Sequence, residues 1–294
     1  MYKYLFYGLH LECDEAIFQL LPDDSDAPAD IRFIKGGIPG WLRDKKDKPH
    51  YDFGPNESWL MNSTGWIYAI NGDTVYYDDR LDADTGYDML SYMTGYGISM
   101  VLMQRGMLPV HCSAVYGDEG AVIISGASGA GKSTVTSLFL DRGYELMADD
   151  IAAISVNEDN TVTLYPAFPY QKYCRDQADR RGLIDENAIY IDEEKDKFLV
   201  PVSNFRKEPA KVSRMIILSK ADVTEVKCAE LTGLSKLFAF SSNLFLSRLR
   251  GDWQKEPALM NECLKAASGF PISAIIRPSE GNSLPDIEKL IFNS

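Results

Sequence analysis

Histidine is scarce in this chain, occurring at positions 10, 50 and 111, and cysteine is sparse, with Cys13, Cys112, Cys174, Cys228 and Cys263. The cysteines are odd in number, far apart and form no Cys-x-x-Cys pair, which speaks against a disulfide framework and against a His/Cys zinc cluster. Reduced thiols in a cytoplasmic protein are the expectation. Basic residues are also short: 30 Lys and Arg stand against 43 Asp and Glu, for a net charge of −13 and a pI near 4.7. Such a chain repels phosphate backbones and anionic lipid surfaces, so nucleic acid and membrane are not expected partners. No eighteen apolar residues run together, and Met1–His10 lacks the apolar core and cleavage site of a signal peptide. Repeats, low-complexity tracts and heptads are missing as well.

What remains is an ordinary globular composition, 45% hydrophobic and 25% charged over 294 residues, enough for one large domain or two modest ones. Residues 1–83 read as a β-rich sub-domain and 84–294 as an α/β core with a connecting helix. Trp66–Ile70 and Asp73–Tyr77 flank Asn71-Gly72, the signal for a hairpin closed by a two-residue turn. From Tyr87 to Arg105, Met89, Leu90, Met93, Tyr96, Met100, Val101 and Met103 recur at helical spacing, with Asp84 as N-cap and Gly106 as stop. This stripe predicts a buried helix packing two sub-domains together. Beyond it, Val110–Val115 and Ala121–Ser125 read as strands, Lys132–Arg142 as a helix and Glu145–Ala148 as a short strand. Further strands are expected at Thr161–Tyr165, Phe198–Val202, Arg214–Leu218 and Ile272–Ile276, and helices at Leu231–Leu249 and Pro257–Ala267.

Between the second of these strands and the helix lies Gly126-Ala127-Ser128-Gly129-Ala130-Gly131-Lys132-Ser133, followed by Thr134. It satisfies Gly-x-x-x-x-Gly-Lys-Ser/Thr in full, in the strand-to-helix setting that gives the pattern its meaning. Glycines let a ring of backbone N–H groups curl around phosphate oxygens, and the new helix adds its positive end. Lys132 then reaches the β- and γ-phosphates, and the Ser133 hydroxyl binds Mg²⁺. A nucleotide, ATP, is the expected ligand.

Asp149-Asp150 ends the short strand only sixteen residues past Ser133. That spacing predicts a topology in which the helix after the phosphate loop returns directly to the acidic strand. Two adjacent carboxylates divide labour, one holding Mg²⁺ and one accepting a proton from an attacking hydroxyl. His111, which opens the strand pair leading to the loop, is a structural histidine by default and a site candidate by position.

Three segments together carry a resemblance: Gly126–Ser133, His111-Cys112-Ser113-Ala114-Val115, and Arg142-Gly143-Tyr144-Glu145-Leu146-Met147-Ala148-Asp149-Asp150. They resemble the HPr kinase/phosphorylase family, which shares its fold with phosphoenolpyruvate carboxykinases. The likeness is closer to the shorter HPr-kinase-like proteins, among them free-serine kinases and lasso-peptide tailoring kinases. It is supported there by Gln104–Pro109 and Tyr165–Pro169. It implies an α/β P-loop core of the HPr kinase/carboxykinase type with an N-terminal β-rich sub-domain. It further implies an ATP- and Mg²⁺-dependent serine kinase with His111, Lys132, Asp149 and Asp150 at the transferred phosphoryl group. Within the pair it favours Asp149 towards the acceptor and Asp150, with Ser133, towards the metal. Ser133-Thr134 replaces the Ser-Glu of the bifunctional sensor enzymes, so phosphorylase activity is not expected.

The family places basic residues near the acceptor, and Lys195, Lys197, Arg175 and Arg181 are the candidates for that role. The acceptor expected from the resemblance is a serine hydroxyl on a peptide. A free amino acid or small metabolite, a nucleotide-dependent regulatory module that phosphorylates nothing, and self-association all stay open.

Overall fold

The computed structural model describes residues 1–80, 89, 91–192, 196–245 and 256–292. They form a mixed α/β chain with two large sheets, divided into two compact units. One unit comprises Met1–Pro109, Tyr173–Val200 and Phe245–Met260, and the other Val110–Lys172, Pro201–Leu244 and Asn261–Ser294. The units interleave along the chain, where the sequence reading sets one boundary at 83/84.

The first unit begins with β1 (Tyr2–Phe6), β2 (Leu9–Cys13), β3 (Leu21–Pro22), β4 (Ile31–Lys35) and a short helix α1 (Gly40–Arg43). It continues with β5 (Tyr51–Phe53), β6 (Glu57–Met61), β7 (Gly65–Ile70) and β8 (Thr74–Asp79). The strands join as one sheet in the order β3-β1-β2-β4-β8-β7-β6-β5. Alternation sets its inner face: in β7, Gly65, Ile67 and Ala69 are buried, while Trp66, Tyr68 and Ile70 are half-buried. The hairpin forms, with positive φ at Asn71 and Gly72, but the ladder closes at Ile70↔Thr74. Three residues therefore make the loop instead of two, because the Asp73 carbonyl is engaged sideways by the Arg32 N–H at 2.8 Å. The expected helix is already α-helical at Met89, Ser91 and Tyr92, widens into a π-helical turn, Met93–Gly97, and continues as α2 (Ile98–Gln104). Gly97 packs the helix on the sheet beside Val75 and Ile67, where a Cβ would make ordinary contact at 3.6–3.7 Å. Asp84 and Tyr87 lie outside the described residues.

The second unit starts at Val110 within β9 (Leu108–Gly117), continues with β10 (Gly120–Gly126), α3 (Lys132–Leu140), β11 (Glu145–Ala148), β12 (Ile151–Val156) and β13 (Val162–Tyr165), and reaches Lys172 within β14 (Tyr170–Cys174). The chain then contributes α4 (Arg175–Arg180), β15 (Ile189–Asp192) and β16 (Lys197–Pro201) to the first unit. It continues with β17 (Ala210–Ala221), β18 (Lys227–Glu230), α5 (Gly233–Ser242), α6 (Pro257–Ser268), β19 (Ile272–Pro278) and α7 (Leu284–Phe292). The second sheet runs β10-β9-β12-β13-β17-β19-β18, with β11 also on β9 and β10 also parallel to β17. The helix expected over Leu231–Leu249 stops at Ser242, where Asn243 turns the chain and Leu244 bridges to Val110.

Strand β9 is the keel of the site. It pairs antiparallel with β10 on one edge (Ser125↔Cys112) and with β11 on the other (Leu146↔Val115). The helix after the glycine loop thus leads directly to the acidic strand, with β9 between the two strands it connects. Val135 and Phe139 of α3 fix that helix in a core with Val122, Ile124, Leu218, Ile275, Ile287 and Ile291. Each such side chain contributes roughly 1.5–3 kcal/mol by burial. No helix among the described residues is long and apolar enough to cross a membrane.

Candidate active site

The glycine loop starts where β10 ends. Gly126 adopts φ +140°, and a Cβ there would stand 2.2 Å from the Leu218 carbonyl oxygen of β17, so glycine alone fits. Gly131, at φ +112°, is the residue from which α3 departs. The Ala130 N–H donates to the Ala127 carbonyl at 3.1 Å, closing a tight turn, and Ser133 and Thr134 lie in the first turn of α3. Lys132 folds over the loop: its Nζ donates to the Gly126 oxygen at 2.7 Å and to the Ala127 oxygen at 3.4 Å.

The loop is also held from outside. Arg277, near the end of β19, donates from Nε to the Ala130 carbonyl at 2.9 Å and from Nη2 to Gly129 at 3.3 Å. Its register partner on β17 is Lys220, whose Nζ would be 3.6 Å from a Cβ on Gly129. Neither cation was visible in the local sequence. The parallel pairing of β17 and β19 brings them to the loop, and no motif encodes it.

His111 enters from β9. Its N–H donates to the Asn243 carbonyl at 2.8 Å, and its carbonyl accepts from the Ser125 hydroxyl at 2.6 Å, so its backbone is tied to the strand leading into the loop. The imidazole Nδ1 lies 3.8 Å from Asp150 Oδ1. Next to it the fully buried Cys112 thiol is pushed up, chiefly by burial.

The two adjacent carboxylates are unlike. Asp149 is buried; Oδ1 accepts from the Ser113 hydroxyl and Oδ2 from the Lys172 N–H at 2.7 Å. Burial holds its carboxyl up at about 6, partly countered by those two bonds. Asp150 takes the left-handed φ of +75°, a costly conformation for a residue with a Cβ, and stays about one-third exposed. The Lys172 Nζ donates to its Oδ2 at 2.8 Å. The resemblance favours Asp149 towards an acceptor, whereas here Asp150 presents its carboxylate and Asp149 is turned into the protein.

A titration follows from that contrast. Asp149 in the folded chain binds a proton more readily than in the unfolded chain, so its contribution to stability falls as pH rises from about 4 through 6. Asp149→Asn lacks this slope. Urea unfolding in EDTA should show wild type losing about 1 kcal/mol relative to the variant between pH 5 and 7. An unchanged difference would mean that Asp149 is not a buried ionising group.

Arg175, Arg181 and Lys197 belong to the first unit, and Lys195 lies outside the described residues. Arg175 pairs with Asp196 at 2.8 Å and stacks over Phe198. Among the described residues no three His, Cys, Asp or Glu side chains gather as a metal cluster. The residues present do suit Mg²⁺ arriving with a nucleotide: a hydroxyl, Ser133, follows the loop lysine, and a part-exposed carboxylate, Asp150, follows β11 on the other side of β9.

No protein-family model matches the sequence, and no curated protein matches it. Among solved structures, the chain is similar to one titled "Structure of the Hpr(Ser) kinase/phosphatase from Coxiella burnetii". The identity is 18%, over 63% of this chain and 94% of that chain, with a TM-score of 0.32. A likeness that loose fixes neither fold nor activity.

Proposed function

We propose that this chain is an ATP-dependent phosphotransferase, with a P-loop core of the HPr kinase/carboxykinase type, that phosphorylates a hydroxyl. The observation that supports it best is the two-sided arrangement on β9: a glycine loop with its lysine on one edge, an acidic turn on the other, and His111 between. A glycine turn alone needs no carboxylate opposite it, and a surface acidic pair needs no strained backbone.

In this reading Gly126–Thr134 receives the phosphates, and Lys132 leaves the Gly126 carbonyl for a phosphate oxygen. Ser133 and Asp150 would hold Mg²⁺, which supplies charge neutralisation at the phosphates. The acceptor oxygen forms a bond to the γ-phosphorus as the bond to the β-phosphate oxygen breaks, and ADP leaves. The hydroxyl proton passes to the Asp150–His111 pair, and Asp149, both oxygens engaged, keeps the turn in shape. The serine-type acceptor, on a peptide, is carried over from the resemblance.

The test is transfer from γ-labelled ATP to serine-containing peptides, to free serine and to no acceptor. Label on a hydroxyl is expected, and Asp150→Asn should lower transfer about a hundredfold and raise the Mg²⁺ concentration it needs, while affinity for metal-free nucleotide stays within a few fold. Release of inorganic phosphate alone, with every acceptor unlabelled, would make the chain a nucleotide-dependent regulatory module instead.

A further inference from the structure

Lys172 touches both members of the acidic pair through different atoms. Its peptide N–H reaches Asp149 Oδ2 at 2.7 Å and its ammonium reaches Asp150 Oδ2 at 2.8 Å. It does so from β14, more than twenty residues beyond the acidic turn, and its side chain is only about one-fifth exposed. The two bonds have different consequences. The hydrogen bond from the peptide N–H to Asp149 does not use the side chain and is kept by Met or Arg at position 172. The ammonium bonds Asp150 through Oδ2, leaving Oδ1 as the oxygen on the His111 side, 3.8 Å from Nδ1, while Asp149 feels only its charge at longer range.

We propose that Lys172 is a positioning residue for phosphoryl transfer, fixing the rotamer of Asp150 so that Oδ1 faces His111 and the reacting groups. This rests on the kinase reading above and adds a residue to it. A part-exposed aspartate on a left-handed turn has free rotation about χ1 and χ2 unless something holds it. A charge-assisted bond at 2.8 Å to a largely covered lysine restrains that rotation. Lys172 works through Asp150 and is not itself required to meet the nucleotide.

The experiment is a double-mutant cycle on the full chain, reading both transfer from γ-labelled ATP and binding of Mg²⁺·ADP. Lys172→Met should lower transfer tenfold or more and leave Mg²⁺·ADP affinity within about threefold. Lys172→Arg, which retains a cation, should recover part of the loss. In an Asp150→Asn background, adding Lys172→Met should change transfer by less than about twofold, since the group it acts through is already gone. A merely structural lysine would lower binding and transfer together, and its effect would multiply with that of Asp150→Asn; either result overturns the assignment. So does wild-type transfer by Lys172→Met in a wild-type chain that transfers label, and that result leaves the kinase reading standing. A wild-type chain that neither binds Mg²⁺·ADP nor moves label removes the kinase reading and this inference with it.

Discussion

Lys132→Ala should bind ATP roughly ten- to a hundredfold more weakly than wild type while melting at nearly the same temperature. Lys132 is the first residue of α3, and its ammonium contributes to no core; it rests on the Gly126 and Ala127 carbonyls. Those carbonyls lose one donor at the half-buried rim of the loop, a small loss beside the core that holds α3. Alanine is at least as good a helix former, so the fold has little reason to respond. A charge-assisted contact to phosphate is worth on the order of 1.5–3 kcal/mol, and that range sets the expected loss of affinity. Calorimetric titration with ATP beside a thermal melt checks both halves. Unchanged affinity would remove Lys132 from the phosphate site.

Gly126→Ala should do more, and differently. At φ +140° a side chain is strained whatever the space around it, and here the new Cβ would lie 2.2 Å from a backbone oxygen of β17. Backbone cannot swing aside as a flexible side chain does, so β10 and β17 must part at Gly126↔Leu218. Ile124 and Leu218 belong to the same core as α3, and the disturbance reaches that core. A destabilisation of about 3 kcal/mol or more is expected, with ATP binding lost as well. Denaturant unfolding distinguishes this from Lys132→Ala, where stability holds. If Gly126→Ala folds and binds normally, the strand-to-loop geometry described here is incorrect.

Much of the second unit's scaffold was legible because its signals are local. Ala121–Ser125 is an unbroken apolar strand, the glycines follow, and Val135 and Phe139 recur at helical spacing; each needs only its neighbours to be read. The return of α3 to the acidic strand was legible from chain length alone. What escaped is non-local or featureless. Strand β18, Lys227–Glu230, is exposed at every residue and shows no apolar alternation. Lys172 and Arg277 reach the site through strand register, which one-dimensional patterns do not carry. The division between Asp149 and Asp150 escaped for a different reason. It depends on one backbone torsion, φ +75° at Asp150, which turns neighbouring identical side chains in different directions. The hairpin loop length likewise yielded to a third strand, β4, bonding to Asp73.

The central claim is that the loop Gly126–Thr134 recognises nucleotide phosphates, and competition binding tests it most directly. Labelled ATP in the presence of Mg²⁺ is displaced from the full chain by unlabelled ATP, ADP, inorganic triphosphate or adenosine. The account predicts that ADP and triphosphate displace the label, that adenosine at the same concentration does not, and that Lys132→Ala weakens the phosphate-bearing ligands selectively. Displacement by adenosine as effective as by ATP, or no ATP binding at all, would contradict it.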